Sequence, residues 1–231
     1  MSEGEFFRFA GRAEAGQELA RRLAALHLPQ PVIYALPRGG VPVAAEIAEA
    51  LDAPLELMLV RKIGAPFQPE LALGAVVDGA EPEMVLNPEI VAATGADEAF
   101  IAATRARELA EIERRRQLYL AGRTSADPRG RSVVVVDDGL ATGATARAAL
   151  RALRRRGPAQ LLLAVPVAPS DTLAALRAEA DSVVCLHEAR RFHGVGAFYD
   201  DFHQLSDQEV ISMLDAAAER FARKAGGAPA D

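Results

Sequence analysis

Two adjacent carboxylates at the end of an apolar run are the residues of this sequence with the most evident chemistry. Residues 133–136 are four valines, and Asp137 and Asp138 follow them directly. The next stretch is small and polar and leads into an alanine-rich segment; its members are Gly139, Ala141, Thr142, Gly143, Ala144 and Thr145. Such small residues let backbone N–H groups approach a ligand, and a helix beginning here adds the positive end of its dipole. The pattern predicts a phosphate site directly beside two acids.

The two aspartates need a partner other than the phosphate, because like charges repel. Their carboxylates would accept hydrogen bonds from adjacent ribose hydroxyls, or contact a Mg²⁺ ion that the ligand partly holds. A phosphate at the helix end and a vicinal diol one strand end earlier describe a ribose 5-phosphate. Neither the Walker loop nor the dinucleotide fingerprint fits this loop. A tight strand-to-helix turn would explain Gly139 and Gly143, but not two carboxylates together with two threonines.

The elements around this motif have the pattern of an α/β protein. Apolar runs of Val, Leu and Ile alternate with helical patterns, which is typical of a parallel sheet covered on both faces. Strands are predicted at residues 31–36, 55–60, 132–138, 161–167 and 182–187. Helices are predicted at about residues 13–27, 41–51, 97–120, 143–156, 170–179 and 207–224, with a short one that starts at Asn87-Pro88 with Asn87 as its cap. Ser170 is the expected cap of the helix at 170–179, Ser206 and Glu209 have the spacing of a capping box, and residues 225–231 are expected to be a frayed tail. Ligands of such sheets bind beyond the carboxyl ends of the strands, where the connecting loops meet.

The segment VVVVDDGLATGAT resembles the phosphoribosyl-pyrophosphate signature of the type I phosphoribosyltransferases: four apolar residues, two acids, and a loop that ends in T-G-x-T. The segments RKIGAP, LALGAV and FHGVGAFYDDFHQLSDQEV resemble a less characterised branch of the same family. The resemblance implies an α/β, Rossmann-like fold with a central, mainly parallel β-sheet flanked by helices, a β-hairpin or lid and a C-terminal hood. It further implies a single domain over residues 1–231, with a hairpin or lid at 72–86, a helical insertion at 87–122, and the hood and terminal helix at 188–231.

The resemblance also implies a role for each candidate residue. Asp137 and Asp138 would hold the ribose 2- and 3-hydroxyls and, mainly through the ligand or water, Mg²⁺. Residues 141–145 would bind the 5-phosphate, and Gly139 would also contact the donor. The loop with Arg38, Gly39 and Gly40 would bind the pyrophosphate, although PRGG by itself is equally typical of a strand-to-helix turn.

The basic pair Arg61-Lys62 lies where the resemblance places the mobile catalytic loop and hairpin. Cations in a lid would neutralise the leaving pyrophosphate and exclude water. A solvated basic dipeptide is the alternative, and the role of Glu70 is left open. The charged helix at 97–120 is expected to be a solvated face or an oligomer contact.

The acceptor site is the least defined part of the prediction. Phe192, Phe198 and Tyr199 lie in the hood segment, where a base could stack on an aromatic ring. Packing of this segment against the core is the favoured alternative for most of these aromatic residues and for Phe202. A purine, a pyrimidine, another nitrogenous ring and an amine all stay open as acceptors.

Composition limits the classes of function. The chain has 231 residues, half of them apolar, and a formal net charge of −6, which argues against nucleic-acid or membrane partners. No apolar window long enough for a membrane span and no secretion signal are evident. One cysteine, Cys185, excludes an internal disulfide. We expect a cytoplasmic protein, and the resemblance adds a homodimer.

These observations favour a Mg²⁺-dependent phosphoribosyltransferase that uses phosphoribosyl pyrophosphate and a nitrogenous acceptor. Asp137, Asp138, Arg61 and Lys62 are the candidate catalytic residues. The main alternative is a sensor that binds phosphoribosyl pyrophosphate or a nucleotide without turnover. Transfer to water is a less favoured third function.

Overall fold

The computed structural model describes residues 7–79 and 82–226, without the side chains of residues 69, 70, 225 and 226. Its strands are β1 Val32–Ala35, β2 Leu55–Leu57, β3 Val60–Ala65, β4 Gln68–Val77, β5 Glu83–Leu86, β6 Ser132–Val136, β7 Gln160–Pro169 and β8 Ser182–Ala189. Its helices are α1 Arg12–Ala24, α2 Gly40–Ala50, α3 Pro88–Thr94, α4 Glu98–Leu120, α5 Ala144–Arg155, α6 Ser170–Leu176 and α7 Asp207–Gly226, with a 3-10 turn at Val195–Phe198. None of the helices in these residues is both long enough and apolar enough to cross a membrane.

The central sheet has five parallel strands in the order β2-β1-β6-β7-β8. Ala35 at the end of β1 is in register with Leu57 of β2 and with Val136 of β6. The chain extends the sheet from β1 in one direction and from β6 in the other, so the order reverses between these two strands. A crevice outside the carboxyl ends of the strands forms at such a reversal. The loops that follow β1 and β6 therefore meet there.

Both faces of this sheet are covered by helices, which explains its continuous apolar strands. Along β1, Ile33 and Ala35 face a core with helices α1, α2 and α7. Val32 and Tyr34 point the other way, into a core with α5 and α6. This alternation is what the pleat of a strand dictates. The predicted α/β fold with a central parallel sheet is confirmed.

A second, antiparallel sheet with the order β3-β4-β5 follows β2. The predicted hairpin at 72–86 corresponds to β4 and β5. The prediction of one strand at 55–60 is wrong, because the chain leaves the central sheet after Leu57 and starts β3 at Val60. β3 was not predicted as a strand, since its register shifts at Gly64 interrupt the alternation of side chains. The β3–β4 turn exposes Phe67 fully.

The helix ends test the predicted caps. At α7, the Glu209 N–H donates to the Ser206 hydroxyl at 3.2 Å, and the Ser206 N–H donates to the Glu209 carboxylate at 2.8 Å. This reciprocal pair confirms the predicted capping box. Ser170, the predicted cap of α6, is instead its first residue, and Pro169 precedes it without a side-chain cap. Of the predicted frayed tail, residues 227–231 lie outside the described residues.

Substitution of Ser206 by alanine tests the capping box. We expect the free energy of unfolding to fall by about 1 kcal/mol, because an N–H of the first turn of α7 loses its acceptor. Ser170→Ala is the matched control, since this serine caps nothing, and its effect should stay within about 0.5 kcal/mol. Urea unfolding of both variants measures the difference. Equal effects of the two substitutions would contradict this assignment of the caps.

Candidate functional site

The loops that follow β1 and β6 approach each other so closely that only glycine fits between them. A β-carbon on Gly39 would lie 2.1 Å from Oδ2 of Asp138. A β-carbon on Gly40 would lie 2.6 Å from the carbonyl oxygen of Val136. The N–H of Leu36 also donates to that carbonyl, at 2.9 Å. The predicted pyrophosphate loop and the two predicted acids are therefore brought together in the crevice.

The two carboxylates share a confined position at the end of β6. Oδ1 of Asp137 accepts a hydrogen bond from the Asp138 N–H at 2.9 Å, and Oδ2 of Asp138 accepts one from Nε of Arg12 at 2.8 Å. Burial raises the pKa of both carboxyl groups, and the neighbouring Asp138 charge raises that of Asp137 further. Arg12 opposes the effect of burial at Asp138. Two acids held in this way favour a partner that donates hydrogen bonds or carries positive charge.

Arg12 is a site residue that the sequence pattern did not identify. Its side chain is only 9% exposed. Besides Asp138, it donates from Nη1 to the His203 carbonyl at 3.0 Å, and its guanidinium lies 4.0 Å from the ring centre of Phe202. A cation at the first position of a helix opposes the helix dipole. That unfavourable position was the one available signal that Arg12 has another role.

The aromatic residues of the hood segment divide into two groups. Phe198 and Tyr199 are each 3% exposed and pack in a cluster with Phe9. Both rings lie buried in this cluster, and stacking of a base on either of them stays a prediction. Tyr199 donates its hydroxyl proton to the Asp138 carbonyl at 2.6 Å, and burial raises the pKa of that hydroxyl. Phe192 is half-buried and borders a cavity, so its contact with the acceptor stays a prediction.

The small residues predicted to bind phosphate lie together at the amino end of α5. Gly143 precedes the helix in the left-handed conformation, with φ 69°, and a β-carbon there would lie 2.9 Å from side-chain atoms of Leu176 and Thr172. The Thr172 hydroxyl donates to the Ala141 carbonyl at 2.7 Å. The first N–H groups of a helix have no acceptor inside it. This loop can therefore present N–H groups to an anion.

Two of the cavities that border these loops also border the hood segment. One, of about 300 Å³, is lined by the pyrophosphate loop, Asp138, the buried arginine and the hood; its residues are Arg12, Arg38, Gly39, Asp138, Phe202, His203, Gln204 and Leu205. The other, of about 990 Å³, lies between Thr142, the start of α6 and the end of β8, where Phe192 borders it. In the first cavity Arg38 lies 3.5 Å from the Asp207 carboxylate. Space for a ligand thus exists on both sides of the motif.

The structure places Arg61 and Lys62 in a strand rather than in a loop. They lie in β3, opposite Val76 and Ala75 of β4. Nε of Arg61 donates to the buried carboxylate of Glu108 in α4 at 2.9 Å. Arg61 is thus held by α4 and does not line the cavity at Asp138. The catalytic role of both residues stays a prediction, and the side chain of residue 70 lies outside the described part.

The donor chemistry of the site suits a metal ion that the ligand helps to hold. Carboxylate oxygen is the ligand type that Mg²⁺ prefers. Within residues 7–79 and 82–226, no three His, Cys, Asp or Glu residues gather in a group that could hold a metal. Asp137 and Asp138 alone fit an ion whose remaining ligands are substrate oxygens and water.

Comparison with known proteins identifies the family. The profile of the phosphoribosyl transferase domain matches residues 12–202, more than half of the chain. The chain belongs to the phosphoribosyl transferase family. Two Mycobacterium tuberculosis proteins, from strains CDC 1551 and H37Rv, are provisionally named phosphoribosyl transferases and are 46% identical to it over 214 residues. These matches cover 93% of this chain and 48% of each relative, so the chain spans about half their length.

A solved relative shares the fold of this chain. The crystal structure of TT1426 from Thermus thermophilus is 42% identical in sequence and superposes with a TM-score of 0.76. The superposition covers 90% of this phosphoribosyl transferase family member and 98% of TT1426. The resemblance drawn from the motifs is thereby confirmed.

The paired acids of this phosphoribosyl transferase family member predict a variant that is more stable than the wild type. The raised pKa of Asp137 means that the folded state favours the protonated carboxyl more strongly than the unfolded chain does. The associated stability is present below the ordinary value of 3.8 and is lost as the pH rises through the raised pKa. An asparagine is uncharged and can still accept from the Asp138 N–H. Asp137→Asn should therefore raise the thermal midpoint at neutral pH.

Thermal unfolding followed by circular dichroism across the acidic and neutral range measures this effect. The difference in thermal midpoint between Asp137→Asn and wild type should become smaller towards acidic pH, because the wild-type carboxyl becomes neutral as well. If Asp137→Asn is no more stable than wild type at neutral pH, the buried charge of Asp137 does not destabilise the folded state, and the prediction is contradicted.

Proposed function

We propose that this chain transfers the 5-phosphoribosyl group of phosphoribosyl pyrophosphate to a nitrogenous acceptor and releases pyrophosphate. The observation that carries the proposal is the contact of Gly39 and Gly40 with the Asp137-Asp138 end of β6. This contact puts the loop with Arg38 and Gly39 and a pair of carboxylates in one crevice, a few residues before the amino end of α5. A sugar with an anion at each end matches that order of groups.

Each part of the donor then has its own residues. The carboxylates of Asp137 and Asp138 accept hydrogen bonds from the ribose hydroxyls. The N–H groups and hydroxyls of residues 141–145 hold the 5-phosphate. The pyrophosphate lies in the cavity of about 300 Å³ at Arg38 and Gly39. The carboxylates and the phosphates, which carry like charge, are thus kept apart: the acids contact the ribose, and the two phosphate groups lie at opposite ends of the ligand.

Mg²⁺ would be held by Asp137 and Asp138 together with ligand oxygens and water, and would neutralise charge on the pyrophosphate. The protein needs no covalent intermediate for this transfer. As the bond between C1 and the pyrophosphate oxygen breaks, positive charge grows on the sugar and negative charge on the leaving group. The buried carboxylates stabilise the positive charge on the sugar, and Arg38 stabilises the negative charge on the leaving pyrophosphate. A nitrogen of the acceptor forms the new bond to C1.

The cavity of about 990 Å³ at Phe192 is the proposed acceptor site. It lies beside Thr142 and at the end of β8, and the half-buried ring of Phe192 can stack against a planar group.

The proposal includes a cytoplasmic location and a homodimer. Nucleic-acid and membrane partners are not part of it, since the net charge is −6.

Removal of both carboxylates tests the donor site. We expect Asp137→Asn with Asp138→Asn to abolish Mg²⁺-dependent binding of phosphoribosyl pyrophosphate in calorimetric titrations, because the acceptors of the ribose hydroxyls are weakened and the metal loses its charged ligands. Asp137→Asn alone, which leaves the Arg12–Asp138 pair in place, guards against a loss of fold. Asp215→Asn removes a carboxylate of α7 that pairs with Arg123 and should bind like wild type. Unchanged binding in the folded double variant would overturn the assignment of this site.

A sensor that binds the donor without turnover is the second candidate, and the Arg61–Glu108 ion pair favours it. An arginine held by α4 does not assist a leaving group until it is released. Incubation of the wild type with phosphoribosyl pyrophosphate, Mg²⁺ and a panel of bases and amines separates the two functions. Pyrophosphate release that depends on one acceptor supports the transferase. Tight donor binding with no release for any acceptor supports the sensor.

A further inference from the structure

One cation near the amino end of α5 has no role in the account above. Arg147 is the fourth residue of α5 (Ala144–Arg155). Side chains of a helix lean towards its amino end, so this guanidinium covers the turn that begins at the phosphate loop. Arg147 and Thr142 both line the cavity of about 990 Å³ and a second cavity of about 600 Å³ on the hairpin side of α5. Arg147 thus borders two cavities that both reach the phosphate loop at Thr142.

One donor of this guanidinium, Nε, is not satisfied by the residues that the structure describes. Nε of Arg147 is buried and, among the residues that the structure describes, has no hydrogen-bond partner. The nearest carboxylate oxygen, Oε1 of Glu179, is 3.9 Å from it. Glu179 is instead bound by Arg151, whose Nε lies 3.0 Å from both of its oxygens. A buried donor without an acceptor is unfavourable, so a ligand that offers an oxygen here is favoured.

Neither local packing nor helix electrostatics explains the position. A positive side chain near the amino end gains nothing from the helix dipole, which favours anions there. The next two arginines of α5 along the chain, Arg151 and Arg154, are both bound to carboxylates, of Glu179 and Asp181. Arg147 differs from both, because its ion pair with Glu179 is long, at 3.9 Å, and Arg151 binds the same carboxylate at 2.5 Å.

We propose that Arg147 binds the phosphate of the sugar and makes the site selective for a phosphomonoester. The inference rests on the proposed function, which puts the 5-phosphate on residues 141–145. Backbone N–H groups can donate to any small oxyanion, whereas a guanidinium adds a full charge and a planar pair of donors that match phosphate oxygens. The ligand class is therefore a dianionic phosphate ester on a sugar.

Calorimetric titration of the full chain with three probes tests this role. The probes are phosphoribosyl pyrophosphate with Mg²⁺, ribose 5-phosphate, and pyrophosphate. Arg147→Gln should weaken binding of the two sugar phosphates about 10- to 100-fold, the range for a lost hydrogen bond to a charged group. Binding of pyrophosphate at Arg38 should stay unchanged. Arg147→Lys keeps the charge but loses the planar donors, so its loss should be smaller.

Arg154→Gln is the matched control, since it removes a cation two turns along the same helix that pairs with Asp181. It should bind all three probes like wild type. If wild type binds both sugar phosphates and Arg147→Gln binds them equally well, the role of Arg147 is overturned and the proposed function stands. If Arg147→Gln weakens the binding of pyrophosphate by the same factor, the role of Arg147 is also overturned, because the effect is then not specific to the sugar phosphate. If wild type binds neither sugar phosphate, both proposals fall.

Discussion

The ion pair between Arg12 and Asp138 is the interaction around which the site is arranged. Without it, the end of β6 would hold two adjacent acids in a confined position, with burial and mutual repulsion both opposing their ionised forms. Arg12 supplies the compensating charge at 2.8 Å, and its own side chain is almost wholly buried. Truncating one member of such a pair leaves the other as an uncompensated buried charge, which is strongly destabilising. The acid pair that the proposed chemistry needs is therefore stable only because α1 reaches the end of β6.

The same ion pair joins distant parts of the chain. Arg12 also donates to the His203 carbonyl and stacks on Phe202, while Tyr199 donates to the Asp138 carbonyl from the same segment. The start of the described chain and the segment before α7 thus close over one side of the crevice. The parallel sheet supplies the other condition, because its order reverses between β1 and β6 and puts their loops side by side. The strand order thus sets the position of the two acids, and the ion pair with Arg12 compensates their charge.

Features that depend on neighbours in the sequence were predicted well, and those that depend on distant partners were not. The motif at residues 133–145, the caps of α3 and α7 and most helices follow from local patterns. Arg12 was missed because its partner is 126 residues away and no local spacing links them. The burial of Phe198 and Tyr199 also depends on a distant segment, because both pack in one cluster with Phe9. Arg61 lies in a strand and not in the loop that the resemblance implies, because β3 pairs with β4, where the partner of Arg61 lies more than ten positions further along the chain.

A crystal structure with phosphoribosyl pyrophosphate and Mg²⁺ tests the central claim most directly. The account predicts both ribose hydroxyls within hydrogen-bond distance of the Asp137 and Asp138 carboxylates. It also predicts the 5-phosphate on the N–H groups of residues 141–145 and the pyrophosphate at Gly39. A donor bound elsewhere, or bound in the reverse direction with its pyrophosphate at the amino end of α5, would contradict the division of this site into an acidic centre and two anion-binding ends.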